Sequence, residues 1–417
     1  MFEFDGKPTT LGAETDVFVG YPFRSDTFCD DGDGIRLLRG DNISQGRIVW
    51  ADAKRLSKES APDHSTYELR EGDVVLAMDR PWVGAGLKHA RIRKQDTPSL
   101  LVQRTACLRG KGGTSTDFIY YVVAGSPYAK YIQGITTGSL VPHISKEQIQ
   151  SYPFLLPPPT AQREIAAVLS ALDAKIDLNN RINAELEALA KTIYDYWFVQ
   201  FDLPDANGRP YKSSGGAMVW NDALKREIPV GWNAGSLWDI ATYTNGLAMQ
   251  KFRPKGDDFL PVIKIKEMSD GFSSDTERAS PLIGEKFIVD DGDILFSWSA
   301  TLAVQIWARG RGALNQHIFK VTSETYPKSF IYFELLNYLG HFKMMAEKRK
   351  TTMGHITLDH LRQSAVVIPP LPLIKELDKL LRPTFDQCVG LSKQNLELAQ
   401  LRDWLLPLLM NGQVRVD

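Results

Sequence analysis

The sequence has little cysteine. Cys29, Cys107 and Cys388 are its only three, odd in number and far apart, so it offers neither a disulfide framework nor a CxxC zinc pair. That pattern suits a reducing compartment. No uninterrupted apolar run approaches the roughly eighteen residues of a membrane span. The opening MFEFDGKPTT lacks the basic-then-apolar order of a signal peptide. The expectation is a soluble, cytoplasmic protein. An excess of charge of one sign is also missing, because 49 Lys and Arg face 50 Asp and Glu, a formal charge of −1. A polyanionic partner would therefore have to be met by local patches.

Catalytic signatures are missing too. There is no GxxxxGK[ST] phosphate loop. Asp30-Asp31-Gly32-Asp33-Gly34 lacks the later Glu of a calcium loop and reads as a turn. Pro157 and Pro369 follow aliphatic residues, unlike the Asn/Asp-Pro-Pro-aromatic motif of an amino-methyltransferase. Pro62-Asp63 with Glu68 and Arg70 lacks the second acid and the lysine of a nuclease. No catalytic residue and no metal ligand is assigned.

What is present is a repeat. A chain of 417 residues, 43% hydrophobic, has material for two or three domains, and here the halves match. At the constant offset that carries His143-Ile144-Ser145 to His355-Ile356-Thr357, Pro157-Pro158 meets Pro369-Pro370, Glu164 meets Glu376, Asn183 meets Asn395 and Leu186 meets Leu398. Upstream, Phe118-Ile119-Tyr120-Tyr121 meets Phe330-Ile331-Tyr332-Phe333. With a drifting offset, Gly72-Asp73-Val74-Val75-Leu76 meets Gly292-Asp293-Ile294-Leu295-Phe296. Each half opens with short β-type runs bounded by Gly and Asp (73–78, 100–108, 260–265, 293–298), followed by helix-like stretches over 117–133 and 328–348. This predicts an α+β domain in each half. The segment 201–227, with LPDANGRPYKSSGG, reads as an exposed connector.

From Thr160 to Trp197 there is no Pro or Gly. At ~1.5 Å per residue such a helix reaches on the order of 55 Å. Ile165, Leu169, Leu172, Ile176, Asn179, Asn183, Leu186, Ala190, Ile193 and Trp197 alternate steps of four and three, the spacing of a coiled-coil seam. The second copy supplies Leu377, Leu381, Thr384, Cys388, Leu391, Asn395, Leu398, Arg402, Leu405 and Leu409. Arg402 and Thr384 weaken that seam, and Pro383 and Pro407 are expected to kink or end its helix. Two such helices related by a pseudo-two-fold axis cover each other's apolar stripes when antiparallel, with Asn183 and Asn395 placed near the middle to set register. Leu169, Leu172, Ile176, Leu186, Leu381, Cys388, Leu391 and Leu398 are the expected pairing residues.

Charge also recurs. Residues 88–130 hold eight Lys or Arg against two acids, and residues 301–352 hold eight against three. Such strips suit phosphate contacts, with sequence discrimination coming from base edges. The candidate DNA-contacting residues of the first half are Arg24, Arg80, Trp82, Lys88, Gln103, Arg104, Thr136, Thr137, Ser139 and His143. Those of the second are Lys251, Arg253, Trp298, Ser299, Gln316, His317, Thr351, Thr352 and His355. Arg and Gln suit guanine and adenine edges, and Thr and Ser suit phosphates.

These motifs carry a resemblance. The IPVGW run at 228–232, the Gly-Asp strand of each half, the His-Ile-Ser/Thr turn, the PPPTAQREIAAVLSALDAKI helix with its YDYWFVQFD ending at 194–202, and PYKSSGG at 210–216 together resemble the specificity (S) subunit of a type I restriction-modification enzyme, over the whole length. The resemblance implies two target-recognition domains (1–155 and 228–367) joined by two helical regions (156–200 and 368–417) as antiparallel coiled-coil helices, with 201–227 as linker. Each domain would read half of a bipartite double-stranded DNA target. The helices would set the spacer and dock two methyltransferase (M) subunits, and restriction (R) subunits would complete the complex. S-adenosylmethionine, ATP and Mg would belong to those partners, and this chain would be non-catalytic. Two other readings stay open: a self-contained methyltransferase or nuclease of related design, and an assembly scaffold that binds no DNA.

Overall fold

The computed structural model describes residues 6–29, 32–60, 62–83, 86–136, 142–348 and 355–414. It divides into two compact units, residues 1–174 with 399–417, and residues 175–398. The division falls inside the two long helices and not at 155, 200, 227 or 367, because each unit's core takes side chains from both helices.

In the first unit an antiparallel sheet runs in the order Thr15–Val19, Thr105–Gly110, Val74–Ala77, His89–Arg91. A second sheet runs Ser99–Leu101, Ile35–Leu38, Arg55–Leu56, Phe28–Cys29, with its first pair parallel. Lys7–Thr10 pairs with Pro153–Leu156, which brings the two ends of the domain together. The second unit repeats this plan. Thr242–Asn245, Ile318–Thr322, Ile294–Ser297 and Ala303–Ile306 form one sheet, and Arg278–Ala279, Leu260–Ile263, Gly312–Leu314 and Ile288–Val289 form the other. Asn233–Ser236 pairs with Ala365–Ile368. The helix-like stretch expected over 117–133 is two helices, Thr116–Ala124 and Ser126–Ile135, separated at Gly125.

The Gly-Asp motif has a mechanical reading. Gly72 and Gly292 adopt φ of 90° and 88°, which a side chain would strain, and the strands Val74–Ala77 and Ile294–Ser297 begin two residues later. Asp73 accepts from the Arg70 amide at 2.8 Å and Asp293 from the Asp290 amide at 2.9 Å, closing the turn. Each carboxylate then meets a cation from the neighbouring strand. Arg109 Nε lies 2.7 Å from Asp73, and Lys320 Nζ lies 2.8 Å from Asp293.

The long helices span Pro159–Tyr194 and Leu371–Met410. Every expected seam position on both is buried or half-buried. In the first unit Ile165, Ala166 and Leu169 share a core with Leu406 and Leu409, and Arg402 Nη1 bonds Asp173 at 2.9 Å. Arg402 does not weaken the seam as expected, because Asp173 and Asp403 both meet its guanidinium. In the second unit Asn179 Nδ2 donates to Gln394 Oε1 at 2.8 Å and Asn395 Oδ1 at 2.9 Å. Asn183 Nδ2 donates to Ser392 Oγ at 3.1 Å. As the first number rises its partner falls, so the pairing is antiparallel. That register sets Asn395 against Asn179 and not against Asn183. Leu172, Ile176, Leu186, Cys388, Leu391 and Leu398 are half-buried, while Leu381 is buried with Ala190, Tyr194 and Leu377.

Two expectations are corrected. The second helix is continuous through Pro383 and Pro407. Both prolines, and Lys379 and Asp403 whose carbonyls they leave without an N–H donor, are exposed. The segment 201–227, exposed over much of its length, is more than a connector. Phe201 and Leu203 are buried in the second unit's core, Tyr211 N donates to Leu203 O at 2.9 Å, and Met218–Asn221 pairs with Arg226–Pro229. The cysteines are free. Burial pushes the thiol of Cys107 far up and that of Cys388 up to about 11, which keeps both as unreactive thiols.

Candidate nucleic-acid interface

Three chain turns meet on the first unit: the turn after strand Ile35–Leu38, the loop after strand Val74–Ala77, and the short link between strands Ser99–Leu101 and Thr105–Gly110. They line a groove of about 380 Å³ formed by Arg39, Gly40, Asp41, Asp79, Arg80, Lys88, Val102, Gln103 and Arg104. Arg80, Lys88, Gln103 and Arg104 were candidates from sequence; Arg39, Asp41 and Asp79 were not. The signal for Arg39 lay in the repeat, where the parallel strand pairs align Leu38 with Ile263 and so Arg39 with Lys264.

Arg80 and Arg104 have φ of 44° and 63°, a left-handed backbone that costs a non-glycine residue on the order of 1–3 kcal/mol. In the second unit Ala300, which corresponds to Arg80, has φ of 53°. Strain at matched loop positions in both copies marks the loop tip as a place where geometry outranks stability. Asp79 Oδ2 accepts from Arg104 Nη1 at 2.5 Å, and its Oδ1 lies 2.6 Å from His143 Nδ1. Burial pushes the Asp79 carboxyl up, but the hydrogen bonds and charges of Arg104 and His143 outweigh it and hold it below the usual range. Burial, aided by Arg80 and opposed by Asp41, holds the Lys88 ammonium below its ordinary value.

The other first-half candidates lie elsewhere. Trp82 is 38% exposed on the hairpin Trp82–Val83/Gly86–Leu87. Arg24 is exposed and paired with Asp26 at 2.6 Å. The Thr136 hydroxyl bonds Ile132 O at a helix end, so it is already engaged. Thr137 and Ser139 lie outside the described residues, as do Thr351 and Thr352.

The second unit assembles a different chemistry on the same frame. Trp298 Nε1 donates to Asn245 Oδ1 at 3.0 Å, and its ring lies 5.6 Å from His317 and 5.4 Å from His355. Gln316 Nε2 lies 3.2 Å from His317 Nε2. Lys251 is exposed, and Arg253 is 3.7 Å from Glu277. Ser299 is a correction: at 3% exposure its hydroxyl is withdrawn from any surface ligand. The cationic strip over 301–352 is also weaker than its count suggests. Arg311 pairs with Glu285 and Asp290, and Lys320 and Lys328 with Asp293, all acids of the preceding segment.

Among the described residues no group of His, Cys, Asp and Glu is arranged to hold a metal ion, and no helix is long and apolar enough to cross a membrane. The domain is duplicated, and each copy carries loop-borne polar residues at one place and long-helix segments in its core. Residues 28–188 and 229–399 both match the family model for the type I restriction modification DNA specificity domain. The chain therefore belongs to the family of type I restriction-modification specificity subunits, with two recognition domains. It is 27% identical over 316 residues to the type I restriction enzyme MjaIX specificity subunit of Methanocaldococcus jannaschii, covering 74% of this chain and 71% of that one. It is 22% identical over 413 residues to the HindI specificity subunit of Haemophilus influenzae, covering 85% and 89%. In fold it is similar to the S subunit of a type I restriction-modification system from M. genitalium, with a TM-score of 0.55 and 13% identity over 97% of this chain and 96% of that one.

Proposed function

We propose that this chain is the non-catalytic address-reading subunit of a type I restriction-modification complex, each recognition domain reading one half of a bipartite double-stranded DNA target. The observation that carries this is the repetition of one domain plan with divergent loop chemistry at matched positions, Asp79, Arg80 and Arg104 in one copy against Ser299, Ala300 and His317 in the other. Two copies with the same frame and different loop residues suit two different half-sites. The long helices set the unread spacer and dock two methyltransferase subunits, and restriction subunits join the full complex. S-adenosylmethionine, ATP and Mg serve those partners, and adenine methylation is the methyltransferase's reaction.

The test is domain exchange. Replacing residues 1–155 by the matching domain of another specificity subunit, in complex with the methyltransferase, is expected to change one half of the methylated site and leave the other, as read by methylation sequencing. A change in both halves would overturn the modular reading. A second measurement addresses the spacer. Two heptads added at matched depth in each long helix should lengthen the unread gap by about six base pairs, from ~1.5 Å per helical residue against ~3.4 Å per base pair. An unchanged gap would remove the helices as the ruler.

A further inference from the structure

The two domain copies can be compared position by position, because the same main-chain bonds recur. Met78 N donates to Arg104 O and Ile144 N to Met78 O, both at 2.9 Å; Trp298 N donates to His317 O at 3.4 Å and Ile356 N to Trp298 O at 2.9 Å. Arg104 therefore corresponds to His317, Asp79 to Ser299 and His143 to His355. At these positions the first copy carries a linked set, Asp79 bonded to both Arg104 and His143. The second copy carries no acid there: Ser299 is buried, and His317 meets Gln316. A frame that closes in one copy without an acid–arginine pair does not need the pair to close in the other.

The surroundings supply a different reason for the pair. Arg104 is 66% exposed and lines the groove beside Gln103 and Arg80. Its bond to Asp79 uses Nη1, and Nε and Nη2 have no partner among the described residues. A guanidinium already held by a carboxylate loses less rotamer freedom when it meets a ligand. Guanine presents O6 and N7 side by side in the major groove, which suits two parallel N–H donors. The Asp79 charge repels a phosphate placed at the same spot, which directs Arg104 toward a base edge.

We propose that Asp79 is a positioning residue that holds the Arg104 guanidinium for a two-bond contact with a guanine in the half-site read by the first domain, a device the second domain does without. This rests on the reading of the chain as a DNA specificity subunit.

The test uses the full chain in complex with its methyltransferase and maps methylated sites by sequencing, the first domain's half-site being the one that changes when residues 1–155 are exchanged. That half-site is expected to contain a guanine. Asp79→Ala and Arg104→Ala should each lower discrimination at that one base pair on the order of ten- to a hundred-fold, with the other half-site unchanged. Asp79→Asn, which keeps an acceptor, should restore part of the loss. Arg104→Gly relieves the left-handed backbone, so it should keep or raise the melting temperature while losing the discrimination, which separates reading from folding. A first half-site without guanine, or an Asp79→Ala or Arg104→Gly complex that marks the same site with wild-type stringency, would overturn the proposal alone. A wild-type complex that methylates no bipartite site would instead overturn the function on which it rests.

Discussion

Replacing Asp73 with alanine is expected to destabilise the first unit by about 3–5 kcal/mol, the range for breaking a buried ion pair from one side. The Asp73 carboxylate is 4% exposed. It accepts from Arg109 Nε and Nη2, each at 2.7 Å, and from the Arg70 amide at 2.8 Å. Removing it breaks three hydrogen bonds and leaves the Arg109 guanidinium, 25% exposed and stacked 4.7 Å from the Phe18 ring centroid, without its paired carboxylate. The amides of Val74–Ala77 and Thr105–Gly110 report the loss directly, since their hydrogen exchange tracks opening of that sheet. A change below about 1 kcal/mol would show that neither the ion pair nor the turn-closing bond of Asp73 supports the strand.

Glu334→Gln is expected to abolish a pH dependence in the second unit. Glu334 is buried, and burial raises its carboxyl to about 7 from 4.5, although the hydrogen bond from Tyr194 and the charges of Arg226 and Lys191 pull the other way and Asp195 adds to the rise. Tyr194 OH donates to Glu334 Oε1 at 2.5 Å, and burial, then Glu334, pushes that phenol far up. Between about pH 4.5 and 7 the native state holds a proton that the unfolded chain has lost. Stability is therefore full below pH 4.5, falls as pH rises through this window, and is flat above it. The whole loss is about 3 kcal/mol. Glutamine keeps an acceptor for Tyr194 without ionising, so the variant should show no slope there and be the more stable form at pH 8. Urea unfolding at pH 5 and pH 8 measures both; a parallel slope in the variant would assign the titration to another group.

The helices were legible in the sequence because a four-and-three alternation survives any detail of packing. Ile165 to Trp197 and Leu377 to Leu409 occupy the covered face at every expected position. Register was less legible. Asn183 and Asn395 are matched in the repeat and placed to set register, but their partners, Ser392 and Asn179, follow only from the antiparallel packing. The groove was half legible. Arg80 and Arg104 were named by their chemistry, but Asp79 and Arg39 enter only because three turns remote in sequence converge. Charge counting failed in the second half for a similar reason, since the acids that neutralise Arg311 and Lys320, Asp290 and Asp293, sit in a turn that folding brings beside those cations.

The first unit draws its last residues from 399–417, and Leu406 and Leu409 sit against Ile165, Ala166 and Leu169. On the ribosome, the domain that emerges first is therefore finished last. Until the final helix leaves the exit tunnel, the nascent chain carries an uncovered apolar face at Ile165, Ala166 and Leu169, a natural station for a chaperone. A message truncated near codon 398 would yield a product whose second unit is complete and whose first unit lacks its closing piece. Such a product is a target for proteolysis rather than a half-active reader.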